Sequence, residues 1–233
     1  MQRLLWILRL LFIILLSCYA RAMKEDIKLI IFDLNGTLID EHSWPKLHAA
    51  LGITEEEDLV LFHLNQEGII PSKVWTEIVN NLYQKRGRAT KEIISNALLD
   101  YSYLPGAKEI IMYLKQYYKV ALISGAPDLL VEAVANDLDV DLFASNALMH
   151  FDATDQLTEL VVLDEEPAAK AIQLQEFCRR FKLTPSQVAC VGDGANDIEL
   201  FKLTKHGITF AGSKVESQAW KIVENLLDIK AIL

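Results

Sequence analysis

Cysteine is scarce in this sequence, and its spacing has no recognisable order. The chain of 233 residues contains three cysteines, Cys18, Cys178 and Cys190. Their spacing matches neither a zinc site nor a disulfide framework, which excludes a small fold stapled by disulfides. Three isolated cysteines fit a reducing compartment slightly better than an oxidising one.

Basic residues are also in the minority, with 23 Lys and Arg against 32 Asp and Glu and a formal net charge of −9. The sequence has no basic patch with interleaved aromatic residues, so we predict no nucleic-acid partner. Repeats, linkers and low-complexity tracts are absent, and a hydrophobic content of 52% excludes a disordered chain. The length suits one catalytic domain with a modest insertion.

The N-terminus carries a long apolar run at residues 4–20, interrupted by Arg9. This run is at the lower length limit for a transmembrane helix, which would bring the protein into contact with a membrane. Ala20-Arg21-Ala22, however, has the spacing of a signal-peptide cleavage site. A third alternative is a translation start at Met23. Residues 1–22 are therefore a membrane anchor, an export signal or a segment before a misplaced start, and the protein is membrane-anchored, exported or cytoplasmic accordingly.

A second apolar run, Leu29–Phe32, stops abruptly at Asp33-Leu34-Asn35-Gly36-Thr37. This pattern predicts a buried parallel strand that delivers Asp33 and Asn35 to a loop. Open α/β sheets place their chemistry at this end of their strands. Asp33 is therefore either a nucleophile that can accept a phosphoryl group or a carboxylate that closes a turn.

The same strand-and-turn pattern recurs at Val188–Val191, followed by Gly192-Asp193-Gly194-Ala195-Asn196-Asp197. Parallel strands would bring Asp193 and Asp197 to the crevice that contains Asp33. Three converging carboxylates repel one another unless a cation joins them. Mg²⁺ prefers oxygen ligands, so we predict Mg²⁺ as the cofactor.

Two further polar positions lie between these segments. Ser124 and Gly125 follow a predicted strand, and Lys170 falls in the first turn of a predicted helix that begins at Pro167. A hydroxyl, exposed backbone N–H groups and an ammonium all suit phosphate oxygens. Taken singly, a serine at such a position is more often a helix cap and a lysine more often a solvated surface residue, so Ser124 and Lys170 also have these explanations.

Together and in this order, the four segments resemble the haloacid dehalogenase superfamily of phosphohydrolases, over about residues 28–210. The finer resemblance is to its phosphoserine phosphatase-like branch, through Ile123-Ser124-Gly125 and the turn at residues 192–197. The resemblance implies an α/β fold with a Rossmann-like parallel sheet flanked by helices. Residues 23–40 and 104–233 would form the catalytic core. Residues 41–103, where apolar residues recur at helical spacing, would form a small inserted helical cap.

The resemblance also implies a mechanism in which a small phosphorylated substrate transfers its phosphoryl group to Asp33 and then to water. The catalytic residues would be Asp33, Asn35, Ser124 and Lys170. Substrate and phosphate would contact Ser124, Gly125, Lys170, Asn196 and His42. The Mg²⁺ ligands would be Asp33, the Asn35 main-chain carbonyl, Asp193 and Asp197.

Two positions depart from the family pattern. Phosphatases of the family usually carry a second aspartate two residues after the nucleophile, where it protonates the leaving group; here that residue is Asn35, which cannot exchange a proton at neutral pH. Phosphoserine-specific relatives carry a glutamate nine residues after the nucleophile, where this chain has His42. His42 either contacts a substrate or caps the first helix of the cap.

Two functions remain open on this sequence. The first is a Mg²⁺-dependent phosphatase for a small phosphorylated metabolite, possible with Asn35 when the leaving group is good. The second is a protein of the same fold that binds or senses a phosphorylated ligand without turning it over.

Overall fold

The computed structural model describes residues 26–40, 42–163 and 165–233 and centres on a seven-stranded sheet. The strand order is β4-β3-β2-β1-β5-β6-β7, and every neighbouring pair is parallel except β3 and β4. The strands are β1 (Leu29–Phe32), β2 (Lys119–Pro127), β3 (Leu142–Phe151), β4 (Leu157–Val162), β5 (Val188–Val191), β6 (Gly207–Phe210) and β7 (Lys221–Val223).

Helices lie on both faces of this sheet and in one insertion after β1. The inserted helices are α1 (Ser43–Ala50), α2 (Glu55–Gln66), α3 (Ser72–Arg86) and α4 (Lys91–Leu98). The helices of the remaining chain are α5 (Ala107–Leu114), α6 (Asp128–Leu138), α7 (Glu166–Phe181), α8 (Ile198–Thr204) and α9 (Ile229–Ile232).

Strand β1 lies at the centre of the sheet and is buried on both faces. Leu29 and Ile31 belong to an apolar cluster that includes residues of α7 and α8. Ile30 and Phe32 belong to a second cluster that includes residues of α5 and α6. Alternate side chains of a strand point to opposite faces, so a strand covered on both sides needs an unbroken apolar run.

The inserted helices have well-defined ends. α2 begins with a capping box, in which the Thr54 hydroxyl accepts from the Glu57 N–H and the Glu57 carboxylate accepts from the Thr54 N–H. α3 ends at Gly87, whose φ of 62° places it in the left-handed region. Arg86, at the end of α3, forms an ion pair of 2.7 Å with Glu57, so these two helix ends are joined.

Helix α3 also covers the edge strand β4. The Asn80 Nδ2 donates to the Leu160 carbonyl and the Asn80 Oδ1 accepts from the Leu160 N–H, both at 2.8 Å. An amide side chain thus satisfies backbone groups that an edge strand would otherwise expose. The insertion is therefore attached to the edge strand of the sheet.

This architecture confirms the predicted α/β fold with a mostly parallel sheet flanked by helices. The boundaries predicted for the insertion, residues 41 and 103, stay a prediction; α1 to α4 occupy Ser43 to Leu98. The apolar segment at residues 1–22 and the alternative start at Met23 lie outside the described residues. Within the part of the chain that is described, no helix combines the length and the apolar character needed to cross a membrane.

Two buried threonines give a matched test of the packing around β6. Both are fully buried, but the Thr209 hydroxyl has no hydrogen-bond partner among the described residues, whereas the Thr204 hydroxyl donates to the Leu200 carbonyl at 2.9 Å. We expect Thr209→Val to raise the free energy of unfolding by up to about 1 kcal/mol, and Thr204→Val to lower it by about 1 to 2 kcal/mol. Urea unfolding of the two variants measures these changes. Changes of the same sign in the free energy of unfolding would contradict the prediction.

Candidate active site

The candidate site lies at the carboxyl ends of β1, β2 and β5, closed on one side by the start of α7. The Asp33 N–H donates to the Val191 carbonyl at 2.9 Å, which extends the pairing of β1 with β5 by one residue. The Asp33 side chain is buried. The predicted delivery of this carboxylate by a central strand agrees with the structure.

Lys170 is the centre of the site. Its side chain is 0% exposed, and its Nζ lies 2.8 Å from Asp197 Oδ1 and 3.1 Å from Asp33 Oδ1. Glu166 Oε1 is 3.9 Å away. Burial by itself lowers the pKa of Lys170, but the carboxylates around it outweigh that effect and raise the pKa above its usual value. The structure therefore excludes a solvated surface lysine and places a permanent positive charge beside Asp33.

Asp33, Asp193 and Asp197 form an acidic cluster, with one carboxylate oxygen from each lying within 4.8 Å of the others. Asp193 Oδ1 accepts from the Thr37 hydroxyl at 3.0 Å, and Asp197 Oδ2 accepts from the Gly194 N–H at 3.2 Å. Desolvation and the charge of Asp33 raise the pKa of both Asp193 and Asp197, while Lys170 opposes that rise. The cluster therefore carries more negative charge than Lys170 alone can balance.

Gly36 permits this close approach. Its φ is +73°, and a Cβ at this position would lie 2.5 Å from Asp193 Oδ2. Any larger residue would strain the turn and push Asp193 out of the cluster. The turn after β1 thus has to be glycine for the β5 turn to reach Asp33.

The donor set of this cluster fits Mg²⁺. Every candidate ligand is a carboxylate oxygen, the atom type that hard divalent cations prefer. Asp33 Oδ1 is buried and, although it lies close to Lys170, accepts no hydrogen bond from the described residues. Asp33, Asp193 and Asp197 are the side chains that would hold the ion. The predicted role of the Asn35 carbonyl stays a prediction.

A second feature lies beside the cluster and consists of groups that attract anions. Asn196, in the turn after β5, donates from Nδ2 to Glu166 Oε1 at 2.6 Å. The Glu166 carboxylate also lies against the Gly125 backbone, where a Cβ would overlap it. Ser124 precedes Gly125 on β2, is 1% exposed, and accepts from the Ala126 N–H at 3.2 Å. The structure thus brings Gly125, Asn196 and Lys170 around one carboxylate.

Glu166 and Thr37 are the residues that sequence reasoning missed. Glu166 stands four residues before Lys170, the spacing of neighbours on a helix face, which was the one available signal. Desolvation raises the pKa of Glu166, while the charge of Lys170 opposes the rise. Thr37 belongs to the polar loop after β1, but nothing in its position indicated a contact with Asp193.

The structure places the two departures from the family pattern at the junction of the core and the inserted helices. Asn35 Nδ2 donates to the Ser43 hydroxyl at 3.1 Å. His42 is exposed and occupies the N-cap position of α1, but its side chain makes no capping hydrogen bond. Trp44, on α1, donates from Nε1 to the Gly125 carbonyl at 3.2 Å. Helix α1 thus contacts the loop that contains Asn35 and the end of β2 that contains Gly125.

The structure is an α/β fold with an acidic site at the carboxyl ends of its parallel strands, and comparison with known proteins identifies the family. Residues 27–203 match the family described as haloacid dehalogenase-like hydrolase. The chain belongs to this family. The predicted relationship to its phosphoserine phosphatase-like branch is confirmed by the relatives.

Two relatives match this chain over almost their whole length. A phosphoserine phosphatase of Wolinella succinogenes is 27% identical over 209 residues, covering 88% of this chain and 98% of the relative. A phosphoserine phosphatase of Methanocaldococcus jannaschii is 28% identical over 221 residues, covering 91% and 98%. Among solved structures, "Phospho-Aspartyl Intermediate Analogue of Phosphoserine phosphatase" superposes with a TM-score of 0.72 at 24% identity, covering 89% of this chain and 99% of that one. At this identity the structural likeness concerns the fold.

The raised pKa values of the acidic cluster make a prediction about metal affinity. Because Asp193 and Asp197 retain protons more readily than ordinary carboxyls, a divalent cation must displace protons when it binds. We expect Mg²⁺ affinity to rise, with release of protons, as the pH increases from about 6 to about 8. Titration calorimetry in buffers of different ionisation enthalpy measures both effects.

Asp193→Asn should weaken Mg²⁺ binding at least about tenfold, since removing a contact to the ion costs about 1.4 kcal/mol or more. Asp139→Asn is the matched control, because Asp139 is exposed and pairs with Lys115. Affinity that is independent of pH, or equal losses in both variants, would contradict a metal site at this cluster.

Proposed function

We propose that this protein is a Mg²⁺-dependent phosphatase that transfers the phosphoryl group of a small phosphorylated metabolite to Asp33 and then to water. The observation that carries the proposal is the buried Lys170 ammonium, which lies 3.1 Å from Asp33 and 2.8 Å from Asp197. A fixed cation beside a buried carboxylate and an acidic cluster is the arrangement that phosphoryl transfer requires.

In the proposed reaction an Asp33 oxygen attacks phosphorus, the bond to the leaving oxygen breaks, and an acyl phosphate forms on Asp33. Lys170, the Gly125 N–H, the Ser124 hydroxyl and Asn196 would hold the phosphate oxygens. Mg²⁺, held by Asp33, Asp193 and Asp197, would offset the charge of the phosphoryl group when bound. Water then attacks phosphorus, and the bond between phosphorus and the Asp33 oxygen breaks. The inorganic phosphate that leaves keeps the protons of the water, and the Asp33 carboxylate is restored.

Asn35 limits the reaction at the leaving group. An amide can donate a hydrogen bond to the leaving oxygen but cannot give it a proton. Loss of general acid catalysis typically costs roughly 10² to 10⁴ in rate. Esters with good leaving groups, such as aryl or acyl phosphates, are therefore the favoured substrates of the proposed enzyme.

Helices α1 to α4 would act as the cap over this site. Trp44 of α1 hydrogen-bonds to Gly125 at the end of β2, and Ser43 hydrogen-bonds to Asn35 in the loop after β1. The insertion is therefore positioned to restrict the size of the substrate and to exclude water. Phosphoserine belongs among the substrates to test because relatives are named for it, although His42 replaces the glutamate typical of phosphoserine-specific proteins.

The nucleophile assignment has a direct test in the full chain. We expect Asp33→Asn to lower Mg²⁺-dependent phosphate release from an aryl phosphate by about 10³-fold or more, because an amide cannot attack phosphorus. Asp155→Asn, at an exposed loop position with a φ of 59° that Asn tolerates, should keep normal rates. Unchanged turnover in Asp33→Asn would exclude the proposed intermediate.

Restoring an acid at position 35 tests the second part of the proposal. We expect Asn35→Asp to raise kcat/KM for alkyl phosphates roughly 10²-fold and for aryl phosphates much less, since only a poor leaving group needs a proton. Asn81→Asp, an exposed position on α3, is the control for the added charge. Equal gains on both substrate classes would show that leaving-group protonation does not limit the native protein.

Asn35 also favours a second candidate function, the binding or sensing of a phosphorylated ligand without turnover. In that case the native protein binds phosphorylated metabolites in the presence of Mg²⁺ and releases no phosphate, while Asn35→Asp gains activity. Calorimetry and phosphate-release assays on the same panel distinguish the two functions.

A further inference from the structure

Glu166 lies where an anion would be expected to bind. Its Oε1 accepts from Asn196 Nδ2 at 2.6 Å and lies 3.9 Å from the Lys170 Nζ. The carboxylate lies against the Gly125 backbone, where a Cβ would overlap it. One carboxylate of the chain therefore fills the space between the Gly125 backbone, the Asn196 amide and the Lys170 ammonium.

Gly125, Asn196 and Lys170 are three of the four residues that would hold phosphate oxygens in the proposed function, so the next inference rests on that function. A carboxylate and a phosphate are both anions that accept several hydrogen bonds from the same kinds of donor. Two anions cannot share one set of donors without strong repulsion. Carboxylate and phosphate therefore compete for this position.

We propose that Glu166 is an internal competitor that occupies the phosphate position and must be displaced by the phosphate group of the substrate. Glu166 thereby sets the affinity of the site for phosphate. A ligand with a weakly charged head group makes weaker interactions with these donors than the ones that Glu166 loses. The site therefore selects fully charged phosphate groups. As inorganic phosphate leaves, Glu166 returns to its donors, which favours release of the product.

The structure shows which partner of this contact can move. Lys170 is 0% exposed and held by Asp197 at 2.8 Å, whereas about a third (34%) of the Glu166 side chain faces solvent. Glu166 is the first residue of α7, so its side chain can turn outward without unwinding a helix interior. The preceding residue, Glu165, accepts from the Ser72 N–H at 2.9 Å and from its hydroxyl at 2.7 Å, which anchors the start of α7 to α3.

The test measures binding of inorganic phosphate to the full chain by calorimetry with saturating Mg²⁺, which needs no turnover. The variants are Glu166→Gln, which keeps the shape and removes the charge, and Glu166→Ala, which removes the occupant. Glu176→Gln is the matched control, because it makes the same charge change on α7 about 15 Å further along the helix, where Glu176 pairs with Arg179 and Arg180. Thermal unfolding monitors folding of each variant.

We expect the dissociation constant for phosphate to fall at least about tenfold, or about 1.4 kcal/mol, in both Glu166 variants and to stay within about twofold in Glu176→Gln. The KM for an aryl phosphate and the inhibition constant of phosphate should fall in parallel, without an increase in kcat. If Glu166→Ala does not fold, Glu166→Gln decides the result by itself.

Unchanged or weaker phosphate binding in the Glu166 variants would overturn the inference, as would the absence of phosphate binding in every variant. A loss of kcat with unchanged phosphate affinity would overturn it too and assign Glu166 to the chemistry. Failure of the proposed function gives a different result: no Asp33-dependent turnover, while the Glu166 variants still bind phosphate more tightly. Normal turnover with unaltered phosphate binding would leave the proposed function standing and remove Glu166 as a competitor.

Discussion

The buried charge of Lys170 is the interaction on which the rest of the site depends. An ammonium with no exposed surface is costly unless carboxylates surround it, and here it contacts Asp33, Asp197 and, less closely, Glu166. These contacts fix α7 against the ends of β1 and β5. With Asp193 included, four carboxylates surround one ammonium, which leaves an excess of three negative charges. Burial and the negative charge of Asp33 raise the pKa of Glu166, Asp193 and Asp197, and a divalent cation is the natural complement of the site.

The sequence predicted those parts of the site that follow from strand topology. Asp33 and the turn with Asp193 and Asp197 each follow an unbroken apolar run, and parallel strands end at one edge of a sheet. Residues such as Glu166 could not be predicted in the same way, because an acidic residue in the first turn of a helix is adequately explained by the helix dipole. Its contact with Asn196, thirty residues later, exists only after α7 has packed beside β5.

The junction between the core and the inserted helices shows how Asn35 fits its surroundings. Its amide donates to the Ser43 hydroxyl, and Trp44 of the same helix donates to the Gly125 carbonyl, so α1 joins the loop after β1 to the end of β2. An aspartate at position 35 could accept from Ser43 instead, since a hydroxyl can reverse its role. Asparagine is thus not required to keep α1 in place. The hydrogen bond to Ser43 therefore gives no structural reason for the absence of an acid at this position.

Asn35 and Glu166 impose separate conditions on any ligand. Glu166 acts at the binding step, because a phosphate must interact with these donors more strongly than the Glu166 carboxylate does. In the proposed reaction Asn35 would act during the chemistry, because the leaving oxygen would depart without a proton. A ligand that meets only the first condition binds and is not cleaved, and one that meets only the second is not bound. The compounds that meet both carry a fully ionised phosphate on a leaving group that is stable as an anion, which is a narrower class than phosphate monoesters in general.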